Sequence, residues 1–221
     1  MNKSATIIFF ILLIDQILKF WIKLHMRLGE SIHIIGDKIQ LYFIENNGMA
    51  FGMQLSGNGG KVVLTLFRVV VAAAILVMIY KITRQKQYNR WLILSLSLIV
   101  AGALGNIVDS LFYGIIFSES TFTDVATLFP AEGGYSSFLQ GKVVDMFYCP
   151  VIRTTLPQWV PVFGGKYMEF FRPIFNVADS AITIGMFILL FGYRKFFVDK
   201  NKENDDAPVD VSTGNDIKIE Y

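Results

Sequence analysis

Two aspartates in this 221-residue chain sit where a negative charge is costly. Asp179 lies in Phe175-Asn176-Val177-Ala178-Asp179-Ser180, at the head of a long apolar run, with no Lys or Arg one turn away. A carboxylate in hydrocarbon costs at least about 2.5 kcal/mol. It needs a proton, or a second group to share one with. The candidate partner is Asp145, in the apolar string Gly141-Lys142-Val143-Val144-Asp145-Met146-Phe147. Taken alone, Asp145 reads equally well as a turn or cap residue. Two carboxylates at hydrogen-bonding distance in a poorly hydrated cleft cannot both ionise easily, so one titrates high and one low. Such a dyad holds a proton donor beside a proton acceptor, which is what activates water against an amide.

Other polar residues recur at helical spacing. Gly102, Gly105, Asn106 and Asp109 form one stripe, and Asn176, Asp179 and Thr183 another. The glycines read as a close-packing seam and the asparagines as hydrogen bonds between helices. Asp15 precedes Lys19 by four residues, so the two face each other on a helix. They read as a positioning pair, since a partnered carboxylate is stabilised as its anion and makes a poor acid. Arg68, inside another apolar run, reads as snorkelling outward or meeting lipid phosphate.

The elements that must position these groups are membrane helices. Hydrophobic residues make up 53% of the chain and charged ones 17%, against about 25% charged in an ordinary soluble domain. The net charge of +2 is spread among apolar runs, unlike a nucleic-acid surface. One Cys and two His, without H-E-x-x-H, leave no basis for an internal disulfide, a cysteine metal site or a zinc protease. Apolar blocks at 5–21, 62–80, 91–117 and 174–195 approach the length that crosses about 30 Å of hydrocarbon. Asp15 interrupts the first block and no small-x-small site follows, which argues against a cleaved leader. The short connection from 81 to 90 carries Lys81, Arg84, Lys86 and Arg90 and no acid, so it is cytoplasmic by the positive-inside rule.

The expected fold is therefore an all-α membrane protein of four transmembrane helices, with both termini cytoplasmic and outer loops at 22–61 and 118–173. Residues 39–44 alternate like a strand, giving the first loop a small periplasmic β-rich extension. Turn signals follow at Asn46-Asn47-Gly48 and Gly57-Asn58-Gly59-Gly60. The long second periplasmic loop is aromatic and broken by Gly and Pro; Trp159 and its neighbours suit the membrane interface. The tail, 199–221, is too polar to fold alone and is expected to be a disordered cytoplasmic segment. A small proton- or ion-coupled transporter would also carry intramembrane Asp and Asn, but repeated halves and broken helices are not visible. A helix-packing scaffold leaves the Asp145 and Asp179 strings unexplained. A serine peptidase built on Ser110 or Ser180 lacks a well-placed His.

Five strings in order resemble the bacterial lipoprotein signal peptidases, or type II signal peptidases. They are Asp15-Gln16 with Lys19; Asn47-Gly48-Met49-Ala50-Phe51-Gly52; Gly102-Ala103-Leu104-Gly105-Asn106-Ile107-Val108-Asp109; 141–147; and 175–180. The resemblance covers nearly all of the chain before the tail. It implies an intramembrane aspartic endopeptidase of the bacterial inner membrane, with its site near the periplasmic face. Such an enzyme cuts diacylglyceryl-modified prolipoproteins on the amino side of the lipidated cysteine, with no metal or cofactor. By the same resemblance Asp145 and Asp179 match the catalytic pair. Asn47, Gly48, Asn106, Asp109 and Asn176 match positions that line the site, and Asp15 and Lys19 match a supporting pair. Membrane lipid and globomycin-type cyclic peptide inhibitors are the further partners implied, nucleic acid is not, and a monomer is expected. Two departures stand out. Ser110 replaces the Arg that usually follows the third-helix aspartate, so a cation near the scissile carbonyl is either absent or supplied from elsewhere, Arg153 and Arg172 being candidates. The stretch around 117–140 is also longer than usual, and is expected to cover the cleft as a lid or remodel substrate access.

Overall fold

The computed structural model describes residues 3–47, 57–85, 88–150, 152–155, 157–159, 161, 164–170, 173–193 and 196. Helix α1 (Lys3–His25) exposes Phe9, Phe10, Leu13, Ile14, Ile17 and Trp21 and buries Asp15, Lys19, Ile22 and Lys23. That polarity is inverted relative to a water-soluble helix: the apolar face points outward, as suits a lipid surrounding, and the polar stripe faces protein. Helix α2 (Gly57–Thr83) buries Thr65, Ala72 and Ile79 on one stripe. Gly57-Asn58-Gly59-Gly60, expected as a turn, forms the opening of α2 instead. A first turn tolerates glycine because its N–H groups have no partner within the helix in any case.

Helix α3 (Arg90–Val108) starts where the Asn89 side chain accepts the Trp91 N–H at 2.9 Å. It continues through a π-helical turn (Asp109–Tyr113) into the short α4 (Gly114–Ile116). Three helical stretches, Lys3–His25, Gly59–Thr83 and Arg90–Ile116, are long and apolar enough to cross a membrane. The last apolar helix, α5 (Val177–Tyr193), has 17 residues. It begins later than the expected 174 because Ile174–Phe175 is a strand.

Strands β1 (Ser31–Ile35), β2 (Ile39–Asn46), β3 (Val143–Tyr148) and β6 (Ile174–Phe175) form one antiparallel sheet in the order β1-β2-β3-β6. Strands β4 (Ile152–Thr155) and β5 (Tyr167–Phe170) pair separately. The first loop's strand is thus present as read, whereas β3, β4 and β5 lie in the loop at 118–173 read as broken by Gly and Pro, and β6 lies at the start of the block read as the fourth span. Opposite Ile44 in the sheet stands Asp145. Beneath the sheet, Ile22 and Met26 of α1 pack with Phe43, Tyr113, Phe117, Val144 and Met146.

The stretch after α4 is fastened down. Gly141 N–H donates to Ser110 O at 2.9 Å, Ser136 N–H to Gly114 O at 2.8 Å, and Tyr135 N–H to Phe117 O at 3.0 Å. These bonds satisfy carbonyls that the end of a helix leaves without partners. Leu28 N–H donates to Thr121 O at 3.0 Å, tying the same stretch to the end of α1.

Candidate active site

The seam between α3 and α5 is set by glycine. A Cβ on Gly102 would stand 2.1 Å from the Ala178 carbonyl oxygen, and one on Gly105 would stand 2.6 Å from Asp15 Oδ2. At this depth the buried Asp15 crosses from α1 to the start of α5, where its Oδ1 accepts the Ala178 N–H at 2.9 Å. A carboxylate there completes an orphan donor and faces the positive end of the helix dipole.

Lys19 is fully buried and lies 2.9 Å from Asp15 Oδ2 and 2.7 Å from Asp109 Oδ2. It also donates to Asn106 Oδ1 at 3.0 Å. The expected Asp15–Lys19 pair is therefore one edge of a larger cluster. Asp109 accepts from Gln16 Nε2 at 3.0 Å, and from the Val144 N–H of β3 at 3.3 Å. Buried ion pairs add little net stability, because desolvation offsets their attraction. What this one does is fix α1, α3 and β3 relative to one another.

On that frame hang the two aspartates. Asp145 Oδ1 accepts from Asn176 Nδ2 at 2.7 Å and Oδ2 from Asn46 Nδ2 at 3.2 Å. Asp179 Oδ1 accepts from Asn106 Nδ2 at 2.8 Å. Asn176 Nδ2 also lies 3.2 Å from Asn106 Oδ1, so two side-chain amides link the carboxylates. Asn176 Oδ1 in turn takes the Asp179 N–H at 2.8 Å, capping the first turn of α5. Asp145 is 2% exposed and Asp179 is half-buried, so the cleft opens on the Asp179 side. Burial, with the Asp179 charge adding to it, pushes the Asp145 carboxyl up to about 7.

Of the residues singled out from sequence, Asp15, Lys19, Asn106, Asp109, Asp145, Asn176 and Asp179 thus meet in one network. Asn47 accepts from Lys61 Nζ at 3.2 Å, and it is its neighbour Asn46 that reaches Asp145. Gly48 and Arg172 lie outside the described residues, as do the rest of 48–52, the Arg153 side chain and the tail 199–221. The sequence reading named Gln16 only within the first string and Asn46 only as a turn residue, and gave neither a role in the site. Missed too was Lys23, buried against Glu45 of β2 and donating to Ser120 Oγ at 2.9 Å. Ser110 and Ser180 donate their hydroxyls to the carbonyls four residues back, Asn106 and Asn176, each at 3.0 Å. Among the described residues neither hydroxyl is hydrogen-bonded to a side-chain base, which does not favour the serine-nucleophile reading.

Residues 7–194 match the family model described as Signal peptidase (SPase) II. The chain belongs to the signal peptidase II family. The lipoprotein signal peptidase of Porphyromonas gingivalis is 45% identical over 191 residues, covering 86% of this chain and 82% of the relative. That of Amoebophilus asiaticus is 34% identical over 183 residues, or 82% of this chain and 73% of the relative. Among solved structures, a bacterial membrane enzyme determined in meso at 2.3 Å superposes with a TM-score of 0.58 at 25% identity, covering 95% of each chain. A second, at 1.9 Å, gives 0.57 at 26% identity over 87% of this chain and 93% of the other. Membership of the signal peptidase II family does not favour the transporter reading.

Proposed function

We propose that this signal peptidase II chain is an intramembrane aspartic endopeptidase that removes the signal peptide from diacylglyceryl-modified prolipoproteins, cutting on the amino side of the lipidated cysteine. The observation that carries the reading is the amide-linked pair Asp145 and Asp179 at the head of α5, one buried and one facing the opening.

The two environments suggest the division of labour. Asp145, pushed up to about 7, holds the proton. Asp179, at the open side, acts as the base. Water gives a proton to Asp179 as its oxygen bonds to the scissile carbonyl carbon, while Asp145 protonates the carbonyl oxygen. In the collapse, the C–N bond breaks, Asp179 passes its proton to the leaving nitrogen, and one gem-diol hydroxyl proton returns to Asp145. Both carboxyls end as they began. A substrate helix must unwind before its peptide bond can be attacked, and each freed backbone group left unpaired costs roughly 1 to 3 kcal/mol. The asparagines of the cleft are the groups placed to meet them. The diacylglyceryl chains, remaining in lipid, would register the bond against the dyad.

The same reading has four spans in the bacterial inner membrane, with α5 as the fourth, both termini in the cytoplasm and the sheet on the periplasmic side. The basic connection around Lys81 and Arg84 supports that orientation. Globomycin-type cyclic peptides would occupy the cleft of a monomeric enzyme surrounded by lipid. The test is incubation of purified protein with a diacylglyceryl-cysteine proprotein, following loss of signal-peptide mass. Asp145→Asn and Asp179→Asn each lower the rate by about 10²- to 10⁴-fold or more, and Ser180→Ala does not. Cleavage that survives either aspartate substitution refutes the assignment.

A further inference from the structure

The stretch from Val125 to Gly141 holds one charged residue, Glu132, and two phenylalanines turned away from the protein: Phe129 is 72% exposed and Phe138 52%. Its height is fixed by hydrogen bonds to the end of the helix that precedes it. Phe129 N–H donates to Ile116 O at 2.7 Å, Ser136 N–H to Gly114 O at 2.8 Å and Leu139 N–H to Leu111 O at 3.4 Å. Gly134 permits so close an approach, since a Cβ there would collide with the Gly114 carbonyl oxygen. The chain therefore leaves α4, turns at Pro130–Gly133, where Gly133 N–H donates to Pro130 O at 3.0 Å, and runs back beside the helix it left.

That helix is the apolar stretch Arg90–Ile116. At 27 residues and 1.5 Å per residue it is about 40 Å long, against about 30 Å of hydrocarbon, so its last turn reaches headgroup level. Phe129 sits beside that last turn. Phe138 lies about one turn lower, where its ring meets Phe112 edge-on with centroids 6.0 Å apart. Phe112 and Ile115 are themselves exposed, so the two loop phenylalanines continue the outward apolar surface of the helix. Phe129 and Leu139 are also the non-glycine residues with left-handed backbone among the described residues, at φ 50° and 70°. Bulky side chains avoid that region, and a residue held there points to a constraint other than local comfort. Phe129, so largely exposed, gains little protein packing in return.

We propose that residues 128–139 are the chain's footing in the outer leaflet, with phospholipid as the partner: Phe138 enters the hydrocarbon beside Phe112, and Phe129 lies among the headgroups beside Ile116. Taking these rings out of water is the favourable term, as for other segments that lie in the membrane surface. Glu132 is exposed on the turn at the upper end, where a carboxylate stays hydrated. The inference rests on the spanning orientation above and goes beyond the peptidase reading. The segment ends at Gly141, whose N–H donates to Ser110 O at 2.9 Å, and β3 with Asp145 follows directly. The footing thus sets the height of Asp145 against the lipid in which the substrate's acyl chains are held.

The experiment places the full chain in phosphatidylethanolamine–phosphatidylglycerol vesicles, in a Cys149→Ser background, with a nitroxide spin label attached through Phe129→Cys or Phe138→Cys. Collisions with oxygen, which concentrates in lipid, are compared with collisions with a water-soluble nickel chelate. Labels through Phe10→Cys, on the exposed face of α1, and Gln85→Cys, exposed in the basic connection, mark lipid and water. The oxygen-to-nickel ratio at position 138 is expected to approach that at position 10, and the ratio at 129 to fall between the two references. A ratio at either site equal to that at position 85 overturns the inference. So does exclusion of both reagents, which would mean that another protein or a second copy covers the rings. Should the substituted chains fail to fold, a lipid-soluble carbene photolabel on the unsubstituted chain decides: labelling within 128–139 supports the footing, and its absence there refutes it. Cleavage is not read, so the peptidase assignment stands apart from the outcome, whereas a water-like ratio at position 10 would remove the spanning reading and the footing with it.

Discussion

Gly105→Ala offers a sharp test of the cluster, because the added methyl has a known obstacle. Its Cβ would lie 2.6 Å from Asp15 Oδ2, 3.3 Å from Asp15 Cγ and 3.0 Å from Ala178 Cβ. Ordinary contact begins at 3.4 Å, so the oxygen must retreat by roughly 0.8 Å. The same carboxylate holds Lys19 at 2.9 Å through Oδ2 and the Ala178 N–H at 2.9 Å through Oδ1, so it cannot retreat without loosening one of them. Overpacking of this kind costs about 1 to 3 kcal/mol, and a weakened helix cap about 1 kcal/mol more. The expected loss is of order 2 to 4 kcal/mol. It is read as thermal unfolding in detergent, together with slowed cleavage. A double-mutant cycle isolates the cause: in an Asp15→Ala background the nearest obstacle is gone and only the tight 3.0 Å approach to Ala178 Cβ remains, and the two changes couple by about 0.5 to 3 kcal/mol. If the two costs simply add, Asp15 is not what Gly105 makes way for, and the account of the seam is wrong.

Three further outcomes follow from the site and its supports. Because Asp145 keeps its proton up to about 7, cleavage falls as pH rises through about 7, where the pair becomes two anions with no acid; a pH–rate profile that keeps climbing into the alkaline range contradicts this. Lys23→Met leaves Glu45, whose side chain is 2% exposed, with Lys142 at 3.3 Å and the Ser120 hydroxyl at 3.1 Å, so the expected loss is below the about 3 to 5 kcal/mol of a fully stranded buried charge. Adding Glu45→Gln should recover part of that loss in the same melting experiment, and no recovery would mean that packing, not charge, was lost. Ser110→Ala removes only a hydroxyl bonded back to its own helix, so stability changes by no more than about 1 kcal/mol and cleavage persists. A chain inactivated by that change would assign Ser110 a part in the chemistry.

The apolar helices, the strand at 39–44 and most of the polar cluster were legible in the sequence, because hydrocarbon makes each buried charge conspicuous. Asp15 with Lys19, and Asn106 with Asp109, share faces by spacing alone. Strand β3 was not legible as a strand: Val143, Val144, Asp145 and Met146 are all buried, so the two-residue alternation that marks a half-exposed strand is missing. Asn46 and Asn47 could not be told apart, since in a strand one residue of register decides which face a side chain takes. The π-helical turn at Asp109–Tyr113 has no compositional mark. Gly57–Gly60 carried a turn signature that the opening of a helix also accepts.

The contact between Asp15 and the Ala178 amide joins residues 163 positions apart. A ribosome delivers the carboxylate near the beginning of synthesis and its amide only near the end. Until the last helix is threaded, the proteolytic cleft has neither Asp179 nor the anchor that sets that helix's depth. On the peptidase reading, a copy that still lacks this helix lacks one of its two proposed catalytic carboxylates.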